Sequence, residues 1–176
     1  MSIRSLEEIV DLHGHFWPGL AIGYRMALAG LAALSEGKAD DEEIVAIVEN
    51  DACGVDALQV LTGCTFGKGN VIFRDYGKLA YTLISRGTGQ GVRVVARDDA
   101  VPTDIGDDRE ERITRILKAA EADIVSVHAV DIELPARASI HGSVCCDVCG
   151  EHVMSTRTRV VGDQILCIPC SEKRTS

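Results

Sequence analysis

Apolar positions along the chain switch between helical and strand-like spacing, and their order predicts an α+β domain with helices packed on a mainly antiparallel sheet. Ser5-x-x-Glu8 reads as a capping box opening a short amphipathic helix through about Leu12, and Pro18 suits the first turn of a longer helix reaching Leu34. On the longer helix Gly19, Gly23, Ala27 and Gly30 share a smooth face beside a bulkier stripe of Leu20, Tyr24, Leu28 and Leu31, so another backbone can approach closely. Ile44 to Val48 is a short apolar run suited to a buried strand, and Val55 to Thr62 a helix closed by Gly63. Val71 to Phe73 and Leu79 to Ile84 read as a pair of strands around Tyr76-Gly77-Lys78, and residues 86–91 as a hairpin turn leading into a strand from Val92 to Ala96. The acidic stretch from Asp98 to Asp108 predicts a solvated loop, followed by an amphipathic helix to about Ala122 with Ile113, Ile116 and Leu117 inward. Ile124 to Leu134 alternates as a strand does, and Pro135 ends the pattern.

A different logic governs the C-terminus. Cys146-x2-Cys149 and Cys167-x2-Cys170, with seventeen residues between the pairs, have the spacing of a structural zinc site. Each short knuckle can offer two thiolates to adjacent corners of a tetrahedron, and Gly150 suits the turn that sends the chain back. Cys145 is predicted to be a spare, and Ser171-Glu172-Lys173-Arg174 to open a short helix. Two disulfides are the competing interpretation; a redox pair is disfavoured because no βαβ pattern surrounds either knuckle. The resulting organisation is a core domain over residues 1–135, a linker over 136–143 and a four-cysteine finger over 144–176.

Composition and charge narrow the partners. With 176 residues, 46% of them hydrophobic, the chain can bury one sizeable core beside a small metal module. The acidic start and an apolar stretch interrupted by Arg25 argue against a signal peptide and a membrane span, which makes the cytoplasm the expected compartment and leaves the cysteines reduced. Residues 1–136 carry 13 Lys and Arg against 23 Asp and Glu, whereas residues 137–176 carry 5 against 4. An excess of ten negative charges on the core repels a phosphate backbone, so nucleic acid is a poor partner there.

Candidate chemistry in the core concentrates in two polar turns. In His13-Gly14-His15-Phe16-Trp17-Pro18-Gly19, two imidazoles precede a helix N-terminus, where they are either neutral ligands or proton-transfer groups, or else structural, with His15 bonded to a buried carbonyl and His13 exposed. In Glu49-Asn50-Asp51-Ala52-Cys53-Gly54-Val55-Asp56, Cys53 stands near a second helix N-terminus, a setting that favours a thiolate ligand or nucleophile. Cys64, at the other end of that helix, is expected to be buried and inert. Gly67-Lys68-Gly69 lacks the spacing of a phosphate loop and reads instead as a tight turn.

Taken together, His13-Gly14-His15-x-x-Pro18-Gly19-Leu20-x-x-Gly23-Tyr24-Arg25-Met26, residues 49–59, Thr62 to Asn70 and Asp75-Tyr76-Gly77-Lys78 resemble the FmdE family, named after a component of formylmethanofuran dehydrogenase. The resemblance spans roughly residues 10–95 plus the terminal cysteine module. It implies an α+β core, a treble-clef or ribbon-like zinc finger, dimerisation, and a cleft where the His-Gly-His and Asp-Ala-Cys segments meet. The family usually reads His-Gly-His-x-Cys-Pro-Gly, and here Trp17 stands at the cysteine position. That leaves His15 and Cys53 as candidate ligands of a second metal, with His13, Asp51 and Asp56 as supplements, Lys78 orienting an anionic group and Trp17 walling the pocket. The seven cysteines, four assigned to zinc, are too few for iron-sulfur redox chemistry. The expected role is therefore a metal-binding accessory protein, non-redox on its own, a homodimer and a partner of a molybdenum or tungsten enzyme. The alternative is a stand-alone metal-dependent enzyme using Cys53 and His15.

Overall fold

A computed structural model describes residues 6–100 and 108–175, and the chain divides into two compact units, 1–138 and 139–176. The first unit contains α1 (Leu6–His13), α2 (Pro18–Leu34), β1 (Ile44–Val48), α3 (Gly54–Thr62), β2 (Val71–Phe73), β3 (Ala80–Ser85), β4 (Gly91–Ala96), α4 (Arg109–Lys118), α5 (Glu121–Ile124) and β5 (Val125–Val130). Ser5 of the expected capping box and residues 101–107 of the acidic loop lie outside the described residues.

The strands form one sheet in the order β2-β1-β3-β4-β5, antiparallel throughout except for the parallel β1–β2 pair. Parallel neighbours require a crossover, and α3 supplies it. This corrects the expected pairing of Val71–Phe73 with the next strand: β1 lies between β2 and β3. Asn70 makes the pairing local and specific. Its side chain donates to the carbonyls of Asp41 and Ile44 at 3.1 and 3.0 Å, while its own carbonyl accepts from Ala46, fixing the start of β2 beside the start of β1.

Every residue of β1 is buried, which is why its sequence runs apolar without alternation. Ile44, Ala46 and Val48 join Tyr81, Leu83, Val92 and Val94 in the main core with α2 and α3. Val45 and Ile47 face a smaller cluster with Ile84, Ile72 and Ile132. The chain after β5 contributes to that second cluster and is held there by Arg86, which donates to the carbonyls of Pro135 at 2.7 Å and Ala136 at 3.2 Å. The strand expected to reach Leu134 thus ends at Val130, and the segment beyond it serves as a cover rather than a sheet edge.

α2 is central, and its apolar character on every side follows from contacts with α3, α4 and the sheet. Arg25, the single charge within it, donates to the carbonyls of Ile116, Leu117 and Ala119 at 2.5, 3.1 and 2.9 Å. Those are carbonyls at the end of α4 that no helical N–H satisfies, and a cation there also suits the helix dipole. The helix expected to run to Ala122 breaks at this point into α4 and α5, with Ala119 and Ala120 extended. No helix among the described residues is long and apolar enough to cross a membrane.

Most of the small-residue face of α2 is consumed inside the protomer. A Cβ on Gly23 would collide with the backbone of Gly54, and one on Gly30 would lie 2.7 Å from the Leu83 side chain. Gly23, Ala27 and Gly30 thus use their small size for packing within the protomer, whereas Gly19 is exposed.

The second unit pairs β6 (Ser143–Cys145) with β7 (His152–Met154) and β8 (Thr158–Val161) with β9 (Gln164–Cys167), then ends in α6 (Ile168–Thr175). α6 begins directly after Cys167, earlier than the expected start at Ser171. A knuckle, a hairpin and a helix in this order make the treble-clef form of the expected finger.

The Gly23–Gly54 contact leaves no room for a methyl group. Gly23→Ala is expected to destabilise the core by about 3 kcal/mol, the upper end of ordinary overpacking. Gly67→Ala, where an added Cβ meets nothing within 4 Å, should leave the urea midpoint near wild type; equal midpoints for the two variants would contradict the packing described.

Candidate functional site

The cleft is built around the N-terminus of α3, at the end of β1. α3 follows β1 through the turn 49–53, and Asn50 shapes that turn by accepting from the Ala52 N–H at 3.0 Å and donating to the Lys78 carbonyl at 2.6 Å. Glu49, buried at the end of β1, accepts both guanidinium nitrogens of Arg93. This bidentate bond holds the Glu49 carboxyl below its ordinary pKa against the opposing effect of burial. Cys53 is the N-cap residue of α3, half-buried, with its Cβ 3.9 Å from where a Cβ on Gly19 would lie.

α1 reaches the same place from the other side. Its last residue, His13, meets α3 through Nδ1, 2.6 Å from Asp56 Oδ2, and Gln59 Nε2 donates to Asp56 Oδ1 at 3.5 Å. The cleft has a volume of about 430 Å³ and is lined by His13, Asn50, Asp51, Cys53, Asp56 and Gln59 on its polar side and by Phe66 and Phe73 among its apolar groups. Phe66 and Phe73 are exposed despite their size. Beneath the α3 N-terminus, the Tyr81 hydroxyl is buried with no hydrogen-bond partner, and burial raises its pKa.

The His13 turn and the Cys53 turn are thus brought together, but with altered parts. The structure puts His13, rather than His15, on the cleft wall. His15 is exposed, its ring 4.6 Å from that of His13 and 5.9 Å, edge-on, from that of Trp17. The reason is local: α1 carries His13 toward α3, whereas Gly14, at φ +87°, turns the following residues away from it. Trp17 does not wall this pocket. It lies beneath the Arg109 guanidinium, 5.0 Å from the ring centroid, in a separate depression with Pro18, Asp108, Glu110 and Arg112. Lys78 contributes backbone bonds to Asn50 and Glu49, and its side chain is absent from the cleft lining. Cys64 is buried as expected, its thiol donating to the Ile44 carbonyl and its pKa raised to about 11 by burial.

Gln59, Phe66, Phe73 and Tyr81 escaped sequence reasoning. Gln59 and Phe66 stand inside the motif-bearing segments, and Gln59 lies one helical turn from Asp56, a spacing that pairs side chains. Tyr81 had no signal, because only tertiary packing shows that its hydroxyl is unpartnered.

In the second unit the sulfur atoms of Cys146, Cys149, Cys167 and Cys170 lie within 4.8 Å of one another, and Cys149 and Cys167 sulfurs are 3.9 Å apart. With zinc–sulfur bonds of about 2.3 Å, tetrahedral ligands stand about 3.8 Å apart, so the four fit one ion. Among the described residues they are the one group of three or more His, Cys, Asp or Glu side chains gathered closely enough to do so. The fold also prepares anionic sulfur. Cys146 is lowered to about 6, first by the Cys149 N–H, then by those of Cys167 and Val148, while Cys170 is pushed up to about 12, first by the neighbouring Cys167 sulfur. Packing four thiolates without a cation is resisted, and a bound dication removes the conflict.

Comparison with known proteins follows this division. Residues 12–131 match the model of FmdE, described as molybdenum formylmethanofuran dehydrogenase operon. The chain belongs to the FmdE family. Residues 140–175 match the prokaryotic dksA/traR C4-type zinc finger, which together with the cysteine cluster shows a zinc-binding module. A crystal structure of a tungsten formylmethanofuran dehydrogenase FmdE-like protein from Syntrophus aciditrophicus is similar over the full length of both chains, with a TM-score of 0.72 and 27% identity. A probable S-adenosyl-L-methionine-binding protein from Archaeoglobus fulgidus is 29% identical over 96% of this chain and 52% of its own length. The FmdE chain thus spans about half the length of that curated relative.

Two outcomes test these assignments. Cys149→Ser should release zinc and make residues 139–175 protease-sensitive while the core remains resistant; retained zinc with intact resistance would contradict the metal site. Because the Glu49 pKa is depressed on folding, its pairing stabilises the protein above the unfolded value of about 4.5 and loses that effect as pH falls through the folded value. Glu49→Gln should cost about 2 kcal/mol at pH 7, as for a buried charged hydrogen bond, and this difference should shrink as the pH is lowered below about 4.5 in urea melts followed by the fluorescence of Trp17.

Proposed function

We propose that this FmdE-family chain is a metal-binding accessory protein, non-redox on its own, that serves a molybdenum or tungsten enzyme: the finger holds structural zinc and docks, and the core cleft takes a metal or a small ligand. The observation that carries the reading is the composition of the cleft, where a thiol, an imidazole–carboxylate pair and a further carboxylate face two exposed phenyl rings. Pockets of this size with a few convergent polar groups and aromatic walls suit small organic molecules. Carboxylates and π faces favour a cationic guest carrying a flat ring. S-adenosyl-L-methionine has both features, and the name of the Archaeoglobus relative supports it as the first probe. The tungsten-enzyme association of the Syntrophus protein supports the accessory role.

A stand-alone metal-dependent enzyme is the second reading, favoured by one observation: Cys53 and the His13–Asp56 pair line the same cleft. In that reading His13 takes the proton-transfer role expected of His15, since it is the imidazole facing the pocket. The homodimer remains part of the proposal on other surfaces, with Phe73, Tyr76 and Leu79 as the exposed apolar groups near β2 and β3.

The decisive experiment is calorimetric titration of the zinc-loaded protein with S-adenosyl-L-methionine and with its uncharged thioether product. Binding of the sulfonium form at least tenfold tighter than the thioether, weakened by Asp51→Asn, would support the cleft as a small-ligand site. Equal affinities, or no heat with either, would remove the cationic-ligand reading.

A further inference from the structure

We infer that His13, with Cys53, forms a divalent transition-metal site in the core, distinct from the zinc finger, and that the Gln59–Asp56 pair is its supporting relay. The inference rests on the reading that the cleft is ligand-binding, and it specifies the donor atoms. An ionised carboxylate can only accept hydrogen bonds, so the 2.6 Å contact with Asp56 Oδ2 puts the proton of a neutral His13 ring on Nδ1. Nε2 is left as the lone-pair atom. It is buried and has no hydrogen-bond partner, an arrangement that costs about 1–3 kcal/mol unless something occupies it. Gln59 Nε2 in turn donates to the second Asp56 oxygen, at 3.5 Å, so the carboxylate is held on both sides.

Amide, carboxylate and imidazole in series are the support that metal-binding histidines use: the bond to Nδ1 fixes the ring and increases the donor strength of Nε2. A water or a hydrogen-bond donor could also satisfy Nε2, but the neighbouring groups favour a cation. Cys53 lines the same cleft with a free, half-buried thiol, and Asp51, in the same lining, adds negative charge. The buried Tyr81 hydroxyl, placed so that a Cβ on Gly54 would lie 2.6 Å from it, is a second unpartnered polar atom against the same turn. Imidazole with thiolate selects borderline to soft ions such as zinc or cobalt over magnesium or calcium. Two protein donors leave coordination positions open to water or to a small ligand.

The test adds cobalt(II) to the zinc-loaded full-length protein, removes excess metal, and reads visible absorption together with cobalt and zinc per chain. One cobalt bound beside one retained zinc, with a thiolate-to-cobalt charge-transfer band that Cys53→Ser removes, is the expected result. His13→Ala should abolish cobalt binding. Asp56→Asn, which keeps the shape of the relay, should weaken it by roughly 10–100-fold, and unchanged zinc content and melting temperature would show that both variants are folded. Cobalt that merely replaces the zinc, cobalt lost in His15→Ala but retained in His13→Ala, or no cobalt bound would each overturn the inference. Because titration with the sulfonium ligand is read separately, cobalt failure with retained ligand binding would sink the metal site alone, and failure of both would sink the cleft reading as well.

Discussion

The close approach of Gly23 and Gly54 is the constraint on which the core site depends. Two helix N-termini can converge only where neither backbone carries a Cβ, and here a Cβ on Gly54 would lie 2.9 Å from Gly23 Cα. The contact seats Cys53 against Gly19 and orients α3 so that Asp56 meets His13. Everything polar in the cleft is then positioned by backbone packing within a core of Leu20, Met26, Leu58 and Tyr81, each almost completely buried.

Much of this was readable in the chain, and the parts that were not have identifiable causes. α2 and α3 were legible because proline opens one and a left-handed glycine closes the other, at Gly63 with φ +75°. β1 was legible as a dense apolar run. The neighbour of β2 was not, since strand order depends on the α3 crossover and on Asn70, and neither leaves a periodic signature. The break between α4 and α5 was hidden for a similar reason: Ala119 and Ala120 favour helix locally, and the interaction that accompanies the end of α4 comes from Arg25, more than ninety positions away. Local propensity yielded there to a distant guanidinium.

The two units obtain their order from different physics. The core combines a large buried cluster with a sheet covered on both faces at β1. Among the described residues the finger buries only a cluster of Cys146, Leu166 and Cys167 as its hydrophobic core, and two of these are cysteines of the zinc site. So small a core cannot offset the conformational entropy of the segment, and metal binding supplies what burial lacks. The backbone N–H groups directed at Cys146, including that of Cys167 at 3.3 Å, show a shell already organised for negative sulfur. Motif spacing was sufficient to identify this site because four ligands on two knuckles nearly determine their own geometry; the core cleft, assembled from helices distant in sequence, has no such shortcut.

That contrast also explains the exchange of His15 for His13. Both histidines flank Gly14, and a linear motif treats them alike, yet the chain reverses at Gly14 and only the residue on the α1 side can reach α3. The rings of His13, His15 and Trp17 then form a ladder ended by the Arg109 guanidinium. The Trp17 indole fixes this turn through aromatic and cation–π contacts, which a thiol at that position could not make. The polar groups that line the cleft therefore come from both turns: the His13 imidazole at the end of α1, paired with Asp56, and the Cys53 thiol at the start of α3.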